Sequence, residues 1–219
     1  MKFKTHRPHG LSLLEVCLII ATIALLSVIF DRQVSYSQAP SQRIRCIGNL
    51  KQVGMSFRLY SEDHEDNFPW MVSTNFNPTN TPGSREFTNS AQVFRHFQVA
   101  SNELNSPNIL VCPTDRHRKK APNFIKLNNT NLSYFVGLDA VESDPQLILS
   151  GDRNILGGTL MNSHLLLVRT NSALSWSNTM HIRAGNVGLA DGSVQQITDA
   201  RLIQQVTAVT NAVVRFAIP

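Results

Sequence analysis

No Gly-x-Ser-x-Gly, His-Glu-x-x-His or paired-cysteine zinc motif occurs in this 219-residue chain, and no acidic series has the spacing of an EF-hand. Hydrolysis and metal chemistry therefore lack the local patterns that normally announce them. Net charge is also scarce once the first ten residues are set aside. Lys2, Lys4 and Arg7 stand there without an acid, leaving 17 basic against 15 acidic residues in the remainder. Nucleic-acid binding has little electrostatic basis in such a balance. The one basic cluster, Arg116 to Lys120, has no aromatic residues interleaved with it and reads as an exposed loop.

Long apolar sequence is present, and it lies at the start. Leu11 to Phe30 is interrupted only by Ser12, Glu15, Thr22 and Ser27. As a helix rising about 1.5 Å per residue, it is long enough to span a hydrocarbon layer of about 30 Å. The basic residues ahead of it predict a cytoplasmic N-terminus, with the rest of the chain outside. Glu15 is the anomaly, because a carboxylate in lipid costs about 2.5–3.5 kcal/mol on insertion scales and marks a functional position. Its natural partner is a positive charge at the same depth, such as the new amino group of Leu11 if the chain is cut after Gly10. An ordinary secretory signal is the competing reading, with cleavage near Ser35-Tyr36-Ser37 or Ser37-Gln38-Ala39.

A short basic leader ending in Gly10, a first residue Leu11 and Glu15 four positions further on resemble the N-terminus of type IV pilins and type II secretion pseudopilins. The resemblance implies cleavage after Gly10 and N-methylation of Leu11 by a prepilin peptidase. It gives Glu15 a role in adding subunits to a filament. The usual first residue is phenylalanine, so Leu11 departs mildly from the pattern.

After Phe30 polarity rises, and Pro40 predicts a kink or short break near Ala39. Ile44, Ile47, Leu50, Val53, Phe57 and Tyr60 then recur at helical spacing, predicting an amphipathic helix that ends in Ser61 to Asn67. The acids around His64 in that stretch read as a solvated turn, since acids at a helix C-terminus oppose its dipole. Cys46 to Gln52 resembles the Cys-x-x-Asn-Leu-Lys-Gln segment of a pilin-like subfamily. Cys17 lies in the apolar run, whereas Cys46 and Cys112 fall on the outer side. There they either pair or remain buried thiols.

Further along, Ala91 to Leu104 reads as a short helix and Asn108 to Pro113 as a strand entering a turn. Ser133 to Leu138, Gln146 to Arg153 and Leu165 to Val168 read as strands. Asn186 to Ala190 and Ser193 to Ile197 alternate about Asp191-Gly192, a hairpin signal in which both turn residues tolerate positive φ. His181, nine residues and then Asp191-Gly192 resemble the C-terminal prepilin-type processing-associated domain of that subfamily. His181, Asp191 and Gly192 are read as structural, with Asp152, Ser163 and His164 the nearest candidates to complete a triad or metal set.

The expected architecture is α+β and pilin-like. A long helix, half transmembrane and half amphipathic, packs on a mostly antiparallel sheet with long loops. The expected organisation is leader 1–10, transmembrane helix 11–30, amphipathic spine 31–66 and a globular domain 67–219. The resemblance implies a filament subunit in the inner membrane, with a prepilin peptidase, other pilin-like subunits, an inner-membrane assembly platform and lipid as partners. No catalytic residue, metal or cofactor is assigned. A second reading keeps the anchor and makes the outer domain a binding or hydrolytic module.

Overall fold

A computed structural model describes residues 12–75, 82–162, 164–208 and 213–219, and only the backbone of residues 29–39. Gly10, Leu11 and Ser163 lie outside the described residues. The chain divides into two compact units, Met1–Ser41 and Gln42–Pro219.

Helix α1 runs Leu13–Glu62. In the first unit every described side chain from Ser12 to Val28 is exposed. Among the described residues no helix is long and apolar enough to cross a membrane. The expected span of 11–30 also includes Leu11 and the side chains of Ile29 and Phe30, which lie outside the described residues. The break expected near Ala39 is absent, as helical backbone continues through Pro40.

In the second unit the stripe that α1 buries is Cys46, Leu50, Val53, Phe57 and Tyr60. The sequence placed Ile44 and Ile47 at its head, but Ile44 is 69% exposed and Ile47 only half-buried. The helix is turned so that Cys46 points inward, and Ile44, two residues earlier, is rotated about 200° away.

The short helices α2 (Phe94–Val99) and α3 (Ser101–Leu104) replace the single helix expected over 91–104. Asn105 ends α3 at φ 60°. The strand expected at 108–113 is instead a 3₁₀ turn over Pro107–Leu110, begun by Ser106, whose hydroxyl accepts from the Asn108 amide at 3.3 Å. A capping serine followed by proline favours a helical first turn over an extended strand.

Nine strands follow: β1 (Tyr134–Gly137), β2 (Ile148–Asp152), β3 (Ile155–Gly157), β4 (Thr159–Met161), β5 (Leu165–Arg169), β6 (Leu174–Trp176), β7 (Gly185–Leu189), β8 (Val194–Ile197) and β9 (Val213–Ala217). Helix α4 (Asp199–Thr207) lies between the last two. Seven strands form one sheet in the order β4-β5-β9-β1-β2-β7-β8, and β3 pairs with β6. All pairings among the described residues are antiparallel. The class is therefore α+β with an antiparallel sheet.

Successive residues of a strand point to opposite faces, and β1 divides its side chains accordingly. Tyr134 and Val136 join the core under α1, whereas Phe135 joins a second core with Trp176, Leu202, Val206 and Phe216. Gly188 of β7 faces α1, and a Cβ there would sit in ordinary contact, 3.6 Å from Leu50. The β7–β8 connection is a three-residue loop, Ala190-Asp191-Gly192. The Leu189 amide donates to the Ser193 carbonyl and the Gly192 amide to that of Leu189, each at 2.9 Å. Only Gly192 has positive φ, at 83°. This is a type I turn closed by a left-handed glycine, rather than the two-residue Asp-Gly turn that was expected.

Two glycines separate propensity from packing. Gly48→Ala is expected to raise stability by about 0.5–1 kcal/mol, because a Cβ there meets nothing within 4 Å. Gly185→Ala is expected to cost about 1–3 kcal/mol, since its Cβ would fall 2.5 Å from the Trp176 ring. Urea unfolding of the full chain in detergent reads both, and a shift of the same sign for the two would contradict this packing.

Candidate functional site

The densest collection of buried polar groups lies where α1, the loop after the 3₁₀ turn and the loop before β7 meet. Cys46 and Cys112 are joined there by a disulfide, with Cα atoms 4.9 Å apart. Both cysteines are fully buried. The Thr114 hydroxyl lies 2.9 Å from Cys112 Sγ and 3.8 Å from Cys46 Sγ. His181 Nε2 approaches Cys112 Sγ to 3.7 Å. Cys17 is free and exposed.

Behind the imidazole stand Asn186 and Asp152, on the paired strands β7 and β2. The Asn186 side-chain amide donates to Asp152 Oδ2 at 2.8 Å and lies 3.1 Å from His181 Nε2, while the Asn186 backbone amide donates to the same Oδ2 at 2.7 Å. Asp152 Oδ2 is 3.4 Å from His181 Nε2. With an N–H facing it, Nε2 presents its lone pair, so the neutral ring carries its proton on Nδ1. Asp152 Oδ1 and Asn186 Oδ1 are buried without hydrogen-bond partners, as are Nε and Nη2 of Arg43.

A second buried carboxylate lies next along the chain. Asp115 receives Arg153 through Nε at 2.7 Å and Nη2 at 2.9 Å, the Ser133 hydroxyl at 3.0 Å and the His117 amide at 3.1 Å. Burial alone would raise its pKa, but the two-pronged guanidinium and the other donors outweigh it and hold the carboxyl below its usual range. Arg118, from the basic cluster, donates to the carbonyls of Leu132 and Pro219 at 2.9 Å each, tying the C-terminus to this loop.

The His-x9-Asp-Gly residues do not converge. His181 sits against the disulfide, while Asp191 and Gly192 form the tip at the far end of β7, where Arg58 Nη1 donates to the Asp191 carbonyl at 2.7 Å. Of the expected triad candidates, Asp152 meets His181, whereas the His164 Nδ1 contact is with the Ile218 carbonyl at 3.0 Å. The two sulfurs are bonded to each other, so the cluster as built holds a cross-link and no free thiol. One buried Ser–His pair exists elsewhere: Ser84 Oγ is 2.8 Å from His96 Nδ1, with both residues fully buried. In the acidic turn His64 stacks on Tyr60, and Nδ1 contacts the Tyr60 carbonyl at 2.6 Å. Near the start of α1, Ser12 and Glu15 form a capping box. The Ser12 amide and hydroxyl donate to Glu15 Oε2 at 2.8 and 3.1 Å, and the Glu15 amide donates back at 3.3 Å. The Ser-x-x-Glu spacing was available in the sequence as its signal.

Comparison of the chain with protein-family models, with curated proteins and with solved structures finds no match in any of the three.

Burial sets opposing pH responses. It pushes His96 down to about 4, and burial followed by the Arg43 charge pushes His181 to about 4. Each ring takes a proton near pH 6.5 when unfolded and resists to about 4 when folded, so stability is lost as pH falls through that window. Asp152 acts in reverse. Burial raises it to about 7, against the lowering effect of the Asn186 donors and Arg43, so its contribution is lost as pH rises through about 7. His96 can be isolated from the junction by substitution. The unfolding free energy of the natural chain relative to His96→Gln is expected to fall between pH 6.5 and about 4, by up to about 1.4 kcal/mol per pH unit. A difference that stays constant across that window, measured by denaturant titration, would contradict the assignment.

Proposed function

We propose that this chain is a pilin-like structural subunit, cut after Gly10 by a prepilin peptidase and assembled through its N-terminal helix into a type IV pilus-like or type II secretion filament. The observation that carries the reading is α1 itself. A single helix, Leu13–Glu62, bears exposed apolar side chains on all sides from Leu13 to Val28, and further on a buried stripe from Cys46 to Tyr60. A helix apolar all round requires lipid or other helices about it, whereas a one-sided stripe requires a folded domain. The leader and the His-x9-Asp-Gly resemblance support the same reading. In it, the α+β domain lies on the outer side of the inner membrane, and the disulfide fits an oxidising compartment.

Glu15 then has two tasks. Within one chain its carboxylate closes the capping box with Ser12, which satisfies amides at the helix start. Between chains its charge is the counterpart of the Leu11 amino group freed by cleavage. A glutamine at this position keeps the cap and lacks the charge, so the two tasks separate.

The intact mass and N-terminal residue of the membrane-extracted chain, from cells with and without a prepilin peptidase, are expected to show a start at Leu11 that disappears without the enzyme. A start at Met1 or near Gln38 in both strains would overturn the proposal. In processed chains, Glu15→Gln is expected to leave membrane insertion intact and to reduce incorporation into filaments at least about tenfold, the effect of losing about 1.4 kcal/mol per added subunit. Undiminished incorporation would remove the charge from the assembly step.

A further inference from the structure

The residues around the disulfide hold one arrangement that cross-linking does not require. Cys46 Sγ, Cys112 Sγ and His181 Nε2 all lie within 4.8 Å of one another, and all three residues are buried. His181 Nε2 accepts from the Asn186 side-chain amide at 3.1 Å and stands 3.7 Å from Cys112 Sγ, so the ring atom nearest the sulfur carries a lone pair and not an N–H. The nearest carboxylate, Asp152, has Oδ2 at 3.4 Å from Nε2, and its Oδ1 has no partner although the residue is fully buried. Two sulfurs and an imidazole nitrogen therefore stand together in the interior, with the Asp152 carboxylate next to the imidazole.

We infer that, when the Cys46–Cys112 bond is reduced, the two thiolates and His181 Nε2 bind a zinc ion as its three protein ligands. A tetrahedral zinc takes sulfur at about 2.3 Å and imidazole nitrogen at about 2.0–2.1 Å, which sets sulfur and nitrogen roughly 3.5–3.6 Å apart. Cys112 Sγ and His181 Nε2 already stand at 3.7 Å. The ligand set is soft enough to select zinc over magnesium or calcium. The reaction balances with a dithiol as reductant. The dithiol gives up two electrons and two protons to the disulfide, becoming a cyclic disulfide and leaving two cysteine thiols. Zinc then displaces one proton from each thiol and is held as a dithiolate. Oxidised, the chain carries a covalent tie at this junction; reduced, it carries a metal tie between the same helix, loop and hairpin. Cys46 and Cys112 are 66 positions apart and His181 is distant from both, so no local motif signals the set. The inference concerns only the folded domain and does not depend on filament assembly.

The test uses the full chain in detergent, reduced by a trialkylphosphine that is removed before metal is added. Zinc is titrated against a chromophoric chelator, and in parallel each cysteine is alkylated and read by mass spectrometry. The expected result is one zinc per reduced chain, at least about tenfold weaker binding by the oxidised chain and by reduced His181→Ala, and protection of Cys46 and Cys112 from alkylation. Cys17, free and exposed, serves as the unprotected reference. Near-UV circular dichroism reports whether His181→Ala keeps its fold. If that variant unfolds, cobalt in the reduced natural chain decides, through thiolate charge-transfer bands with a tetrahedral spectrum. Alkylation of Cys46 and Cys112 at the Cys17 rate in excess zinc would overturn the inference, as would equal zinc affinity in folded His181→Ala or a cobalt spectrum without thiolate bands.

Discussion

The bond between Cys46 and Cys112 joins the inward face of a long helix to a loop that has no regular structure of its own after Leu110. Closing a loop of this length removes about 4 kcal/mol of chain entropy from the unfolded state in the simple cross-link treatment. The bond also sets which side of the helix faces the sheet. With Cys46 held inward, Leu50, Val53, Phe57 and Tyr60 follow it into the core at steps of three and four, and Ile44 is turned out. The sheet packs directly against this stripe, with Gly188 opposite Leu50 and Leu149 opposite Gly54.

Around the cross-link the domain accepts a cost in buried polar groups. Asp152, Asn186 and His181 satisfy one another only in part, leaving two oxygens without partners. Such groups are expensive in an apolar interior unless the site has another use. Asp115, in the loop after the 3₁₀ turn, shows the fully compensated alternative, with a bidentate arginine, a hydroxyl and an amide all directed at its carboxylate. The two aspartates thus differ in how fully burial is compensated, and the uncompensated one lies on the His181 side of the junction.

Much of this organisation was legible in sequence because it is carried by periodicity. The spine helix, β1, β2, β5 and the β7–β8 hairpin follow from apolar spacing and turn residues. Most of what was missed depends on contacts far apart in the chain, and one segment on a local turn signal. β9 has the alternation Val214, Phe216 in and Arg215 out, yet it gains its place between β5 and β1 through pairing, with Arg215 held by Asp139 at 2.5 Å. The segment 108–113 is apolar and looks extended, but Ser106 and Pro107 begin a helical turn locally. Asp191-Gly192 gave the hairpin and not its loop length, because the register is fixed by where Leu189 meets Ser193. His181 stood out by a motif whose other half lies elsewhere in the fold, and Asp152 was one of three candidates to join it, whereas Asn186 was unremarkable in an apolar strand until pairing placed it beside Asp152.

The account rests on a buried, neutral imidazole whose Nε2 carries a lone pair and not a proton. Nitrogen-15 NMR of His181 in the oxidised full chain, followed from neutral pH downward, tests that directly. The expected spectrum is a neutral ring protonated on Nδ1 that stays neutral until pH approaches about 4. A ring that titrates near 6.5, or one that carries its proton on Nε2, would contradict it.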